Sequence, residues 1–229
     1  PRALRAVRRV AEADPAAGPG GGGPSETAEA RAGARARIVE RADAWVEEDE
    51  LLARLRARSI EQGVVPVAPG TAAALTFLAA STRARAVVEI GTGLGVGTVA
   101  LLRGMPPDGL LTSIDPDGGR QHEARAACFE AGFAPGRVRM ITGSSRQVLP
   151  KLSDGGYDLV VVDGVTTDFP RDLDASLRLL RPGGVVALDD VLWRGRVADP
   201  VRREAVAGAL RETLRAVRED DRLVPLLVP

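Results

Sequence analysis

One cysteine, one histidine and one lysine occur among the 229 residues of this chain, and each scarcity closes off chemistry. With Cys128 alone, no intrachain disulfide and no cysteine zinc cluster can form. A serine–histidine–aspartate triad would have to use His122, which lies in Gln121-His122-Glu123-Ala124-Arg125 and reads as an exposed helical face. Lys151 is the only lysine, so a lysine base could come from nowhere else. Aromatic residues make up 3% of the chain and its formal net charge is zero, so there is no basic, stacking surface for nucleic acid and no reason to expect a membrane-surface partner. The longest apolar runs, such as Leu159–Val162, are too short to span a bilayer. No charged start followed by an apolar run and a cleavage site opens the chain, so a cytoplasmic location is expected. The first residue is Pro1 rather than Met, so the natural start is expected to lie upstream.

Hydrophobic residues make up 45% of the chain, enough for a sizeable core. Residues 1–35 are rich in Ala, Arg, Gly and Pro, with Gly20–Gly23 at the centre, and read as a flexible segment. From about Ala36 to Gln62 the apolar spacing predicts a helix, which Pro66 and Pro69 break; a second helix fits Gly70–Ser81. Together, residues 36–82 form an expected N-terminal helical cap.

After Arg85 short apolar runs alternate with helical stretches. Strands are expected at Ala86–Ile90, Leu110–Ile114, Val138–Thr142, Tyr157–Asp163, Gly184–Asp189 and Leu223–Val228. Helices are expected near Gly95–Arg103, Gly118–Ala131, Ser145–Leu152, Arg171–Leu180 and Val201–Arg218. Nearly all-apolar strands imply cover on both faces. The class is therefore α/β: a doubly wound, mostly parallel, Rossmann-like sheet over residues 83–229. Such sheets bind ligands at the carboxyl ends of their strands.

The first strand runs directly into Gly91-Thr92-Gly93-Leu94-Gly95-Val96-Gly97 and a helix. Glycines permit the close ligand approach that such a turn needs. A dinucleotide fingerprint spaces its glycines as G-x-G-x-x-G. Counting from Gly91 the last position is Val96, and counting from Gly93 it is Thr98, so neither frame fits. Glu89, two positions before the first glycine, argues against a nearby pyrophosphate and suits a cationic ammonium. Asp115 ends the second strand, 24 residues after Gly91, where an acid can accept both ribose hydroxyls of an adenosine.

Glu-Ile-Gly-Thr-Gly, Ile114-Asp115-Pro116, Gly143-Ser144-Ser145, Tyr157–Asp163 and Leu180-Arg181-Pro182-Gly183-Gly184 followed by Asp189–Trp193 stand in one order. In that order the chain resembles the class I, S-adenosylmethionine-dependent methyltransferases of the catechol and caffeoyl-CoA O-methyltransferase type, particularly bacterial members. The resemblance covers about Asp49–Pro229. It implies S-adenosylmethionine as cofactor, with Val67 touching it from the cap and Glu89 near its methionine end. Gly91, Thr92 and Gly93 would line the pocket, Asp115 would hold the ribose, and Ser145 would lie beside the adenine. The family commonly has Ser where this chain has Gly97. It also implies a homodimer and a seventh, antiparallel strand beyond Pro229, so the chain is expected to lack its C-terminal strand.

Metal-dependent members hold a divalent cation with an Asp ending the fourth strand and an Asp-Asn pair ending the fifth. The matching positions are Asp163, Asp189 and Asp190, an oxygen donor set suited to a hard divalent cation such as magnesium or calcium. Such an ion would orient a vicinal diol and lower a hydroxyl pKa. The alternative has Asp163 contacting only cofactor and acceptor, and Asp189-Asp190 opening a solvated loop. Where the family often has a Lys base, this chain has Thr166, whose hydroxyl cannot serve as a base at neutral pH, so no general base is identified. Asp168, in Asp168-Phe169-Pro170, reads as a helix cap. Cys128 reads as a buried inert thiol, Tyr157 as packing, and Trp193 as packing or acceptor lining.

The expected function is methyl transfer to a hydroxyl of a small, phenolic or otherwise hydroxylated acceptor. Nitrogen methylation of nucleic acid or protein lacks its Asn/Asp-Pro-Pro-aromatic run after the fourth strand. A cofactor-binding module without catalysis is the remaining alternative, supported by the missing Lys.

Overall fold

A computed structural model describes Gly33, Arg37, Ile38, Glu40, Arg41 and residues 43–228. Apart from Gly33, the segment expected to be flexible lies outside the described residues. The sheet and the helices around it belong to the unit Val39–Pro229.

The long helix expected over 36–62 is interrupted. Residues 44–49 are not helical, and α1 begins afresh at Glu50–Glu61. Asp49 causes the restart: its carboxylate accepts the Leu52 N–H at 3.0 Å, satisfying one of the donors a helix start leaves free. Helix α2, Pro69–Ser81, follows, with Pro69 in its first turn where a missing N–H costs nothing.

Five strands then alternate with helices: β1 Ala86–Ile90, α3 Val96–Gly104, β2 Leu110–Asp115, α4 Gly118–Glu130, β3 Val138–Thr142, α5 Ser145–Val148, β4 Tyr157–Val162, α6 Phe169–Leu179, β5 Leu180–Leu188 and α7 Ala205–Glu219. The sheet order is β3-β2-β1-β4-β5 and every pairing is parallel. The chain winds outward from β1 to β3, then crosses to β4 beside β1. That reversal opens a crevice at the carboxyl ends of β1 and β4.

Alternate residues feed two cores. Val87, Leu111, Leu159 and Val161 pack on one face with α1–α4. Val88, Ile90, Ile114, Val160 and Val162 pack on the other, together with residues of α6 and α7. Burying each such side chain stabilises the sheet by roughly 2 kcal/mol, which is why strands covered on both faces are mainly apolar. Cys128 is buried in the first core.

The sixth strand expected at Leu223–Val228 does not form. Those residues are irregular, and Val224 is 97% exposed. A strand needs a neighbour to take its backbone hydrogen bonds, and among the described residues none pairs with this segment. Strand β5 also begins earlier than expected, at Leu180, with its register against β4 shifting between Tyr157 and Leu159.

Candidate functional site

Hydrogen bonds continue past the strand ends and set the functional residues in a row. Gly143 N–H donates to Asp115 O at 3.0 Å, Gly91 N–H to Ile114 O at 2.9 Å, Asp163 N–H to Ile90 O at 2.8 Å and Asp189 N–H to Val162 O at 3.0 Å. Above this edge lies a cavity walled by the glycine turn, Asp115, Gly143–Ser145, Asp163–Val165 and, from the cap, Ser59 and Val64–Val67. Its volume is about 250 Å³, near the lower end of the range for small-ligand sites, and it is partly open to solvent.

Gly91 has a φ of +99°, and a Cβ there would stand 2.1 Å from the Asp163 carbonyl oxygen. Only glycine lets β1 and β4 end so close together. Asp115 is 4% exposed and uses both oxygens: Oδ2 accepts the Gly93 N–H at 3.1 Å, and Oδ1 accepts the Asp117 N–H at 2.9 Å. The acid that ends β2 thereby holds the glycine turn in shape while facing the cavity.

Glu89 lies one layer deeper. It is 2% exposed, does not line the cavity, and its Oε2 accepts both the Thr98 and the Ser113 hydroxyl at 2.6 Å. Burial raises its pKa to about 7, against the pull of those two hydrogen bonds, and the Asp115 charge adds to the rise. Gly97 does line the cavity, and a Cβ on it would stand 2.8 Å from Glu89 Oε1. A serine at this position would therefore have to displace the carboxyl. Below the turn, Thr92 Oγ1 meets Ser113 Oγ at 2.6 Å, and Gln121 Nε2 donates to the Ser113 and Ile141 carbonyls at 3.2 and 3.0 Å. Thr98, Ser113 and Gln121 were not legible as site residues, although a polar Thr112-Ser113 pair inside an otherwise apolar strand is the signal that could have marked them.

Among the described residues, no three acidic, histidine or cysteine side chains are placed to hold a metal ion. Asp163, Asp189 and Asp190 supply suitable oxygens, but the expected convergence of all three does not occur. Asp190 adopts a φ of +49° and is exposed as a residue. Partial desolvation raises its carboxyl pKa, and the neighbouring Arg194 opposes the rise. Burial raises the Asp163 pKa to about 8, with Asp189, Glu89 and Asp190 adding to the rise. Burial also raises Asp189, helped by Asp190.

The remaining candidates divide. Val67 is buried and lines the cavity, and its carbonyl accepts a hydrogen bond from Arg56. Ser145 lines the opposite end. Thr166 lies in the helical turn Thr166–Asp168, and Lys151 is exposed on a turn before β4, so neither supplies a base to the cavity. Asp168 makes no capping bond to α6, because it already has helical backbone angles; its carboxylate pairs with Arg171 at 3.0 Å instead. Trp193 packs against the second core with Arg196 5.1 Å above its ring, and is absent from the cavity wall. Tyr157 packs against the same core. Burial pushes the Cys128 thiol up to about 12, which keeps it protonated and inert. His122 is exposed.

Residues 42–229 match the family model described as O-methyltransferase. A candidate O-methyltransferase of Mycolicibacterium vanbaalenii is 42% identical over 211 residues, covering 92% of either chain. Another from Mycobacterium avium is 41% identical over 206 residues, covering 90% of this chain and 91% of that one. Among solved structures, the O-methyltransferase TomG of Streptomyces achromogenes, involved in tomaymycin synthesis and solved with S-adenosylmethionine, superposes with a TM-score of 0.73. It is 30% identical, over 81% of this chain and 85% of TomG. A parallel sheet with its reversal at β1 and β4, a glycine turn with an acid at the next strand end, and a family match across most of the sequence agree: the chain belongs to the O-methyltransferase family.

Proposed function

We propose that this chain binds S-adenosylmethionine along the carboxyl edge of its sheet and transfers the methyl group to a hydroxyl of a small acceptor, phenols included. The observation that carries this reading is Asp115, buried at the end of β2, hydrogen-bonded to the glycine turn and facing the cavity. A carboxylate there is an acceptor for two ribose hydroxyls. The turn Gly91–Gly97 receives the methionine portion, with the Glu89 carboxyl beneath it. Bound S-adenosylmethionine supplies an electrophilic methyl group.

The protein's own contribution is positioning. Cap residues Val64–Val67 exclude water from one side of the cavity, and Val165 borders the other. Asp163, just past the end of β4 and in the cavity wall, accepts a hydrogen bond from the acceptor hydroxyl, orienting its oxygen toward the methyl carbon. Correct approach geometry can supply a large share of such a rate enhancement. No step is assigned to a metal, because no three acidic side chains among the described residues are grouped to hold one. For the assembly, we propose a homodimer; the exposed Ile60 on α1 and Phe77 on α2 support it, and light scattering tests it.

Calorimetry with S-adenosylmethionine, followed by a methyl-transfer screen over catechols and other phenols, tests the function. Cofactor binding with turnover of a hydroxylated acceptor is expected. Binding without turnover of any acceptor would leave a cofactor-binding module without catalysis.

A further inference from the structure

The loop between α1 and α2 walls one side of the cavity with Val64–Val67, yet its own backbone does little to hold it there. Residues 64–68 are irregular, and Pro66 removes one donor. At the start of the loop, the Val64 N–H donates to Ser59 O at 2.8 Å. Across residues 65–67, the one main-chain hydrogen bond among the described residues comes from a side chain: Arg56 Nη1 donates to Val67 O. At the end of the loop, Ala68 opens α2 without a capping side chain. The Asp43 carboxylate, 27 positions away, accepts the Gly70 N–H at 3.0 Å in its place.

Arg56 is itself held. Its Nε donates to Glu48 Oε2 at 2.8 Å and its Nη2 to Glu48 Oε1 at 2.6 Å. This two-pronged pair fixes the plane of the guanidinium and so aims Nη1 at the Val67 carbonyl. The two side chains are 16% and 11% exposed, whereas the Arg54–Glu130 pair on the same helix is 50% and 57% exposed. Exposed pairs contribute little, but removing one partner of a desolvated pair leaves the other charge uncompensated. Asp43 and Glu48, both ahead of α1, thus grip the far end of the loop, one directly and one through Arg56. Neither Glu48 nor Arg56 lines the cavity, so each can act on a ligand only through the loop.

We propose that Glu48 and Arg56 are positioning residues for the cofactor site: the carboxylate orients the guanidinium, the guanidinium fixes the Val67 carbonyl, and Val64–Val67 are thereby held against bound S-adenosylmethionine. The proposal rests on the assignment of S-adenosylmethionine as cofactor. The full chain is titrated calorimetrically with S-adenosylhomocysteine, the demethylated cofactor. Arg56→Lys keeps the charge but cannot reach both partners in a fork, and is expected to weaken binding about fivefold. Arg56→Met leaves Glu48 uncompensated and is expected to weaken it by about tenfold or more. Glu48→Gln, close in size, is expected to cost roughly threefold, and carries the test if the Arg56 variants fail to fold. Arg54→Met removes only the surface pair and should leave affinity unchanged. Amide hydrogen exchange of the ligand-free chain gives a second readout. In Arg56→Lys the Val64 and Gly70 amides, at the two ends of the loop, should exchange about tenfold faster, while those of β1 and β4 keep their rates. Unchanged affinity in both Arg56→Met and Glu48→Gln overturns the proposal. So does an equal loss in Arg54→Met, or faster exchange spread evenly through β1 and β4, which is what a merely structural pair would give. If the wild type does not bind S-adenosylhomocysteine, the cofactor assignment itself fails and the proposal falls with it.

Discussion

Replacing Glu89 with glutamine should make the ligand-free protein more stable and its cofactor site worse. The carboxyl is fully buried, and its pKa is raised from the ordinary 4.5 to about 7, chiefly by burial. At roughly 1.4 kcal/mol per pH unit, that displacement amounts to about 3 kcal/mol. The sign follows from proton linkage. Below pH 4.5 both folded and unfolded chains hold the proton, and Glu89 costs nothing. Between 4.5 and 7 the unfolded chain releases it while the folded chain keeps it, so stability falls as pH rises. Above 7 the full cost is present and constant.

Glutamine removes this titration, and its amide oxygen can still accept from Thr98 and Ser113, which both donate to one oxygen of Glu89. At pH 8 Glu89→Gln is therefore expected to gain up to about 3 kcal/mol, or roughly 6–12 °C in melting temperature for a chain of this size. Near pH 4 the two proteins should converge. Comparing variant with parent cancels the groups that titrate alike in both. Urea titrations from pH 4 to 8 provide the measurement. A stability difference that does not grow between pH 4.5 and 7 would refute the reasoning. Affinity for S-adenosylmethionine should fall, because the negative charge beneath the methionine site is gone; stability gained at the expense of a charged site is a common exchange.

Other outcomes can be checked more simply. Asp115→Ala removes an acceptor for two ribose hydroxyls and a brace for the glycine turn, so S-adenosylmethionine binding measured by calorimetry should weaken by roughly 100-fold or more. Gly97→Ser places a Cβ 2.8 Å from Glu89 Oε1 and should destabilise the ligand-free protein by about 1–3 kcal/mol in urea titrations; an unchanged midpoint would show that the Glu89 carboxyl shifts freely. With no three acidic side chains among the described residues grouped to hold a metal ion, methyl transfer should continue in excess chelator. Loss of turnover restored by magnesium would show that these three residues close around an ion.

The cofactor edge was legible because its signals are local. A glycine turn between an apolar strand and a helix, with Glu89 before it and Asp115 at the next strand end, specifies backbone shape within a short stretch of chain. The parallel sheet was legible for a similar reason, since alternating apolar strands and helices leave few ways to cover both faces. Elements whose form depends on distant partners were not legible. Leu223–Val228 has a strand's composition but no neighbour among the described residues to take its hydrogen bonds, and Asp49 divides a run whose apolar spacing is continuous. Asp168 occupies a capping position yet spends its carboxylate on Arg171.

The sequence by itself determined the architecture, the glycine turn and the acid at the end of β2, because periodicity and turn chemistry act between neighbours in the chain. Only the tertiary structure decided that Glu89 sits beneath the cavity rather than in its wall, that Asp190 takes a left-handed backbone, and that Arg171 joins Ser145 to Asp172. Those outcomes depend on which oxygen faces which donor across elements far apart in sequence, and burial then sets what each charge costs.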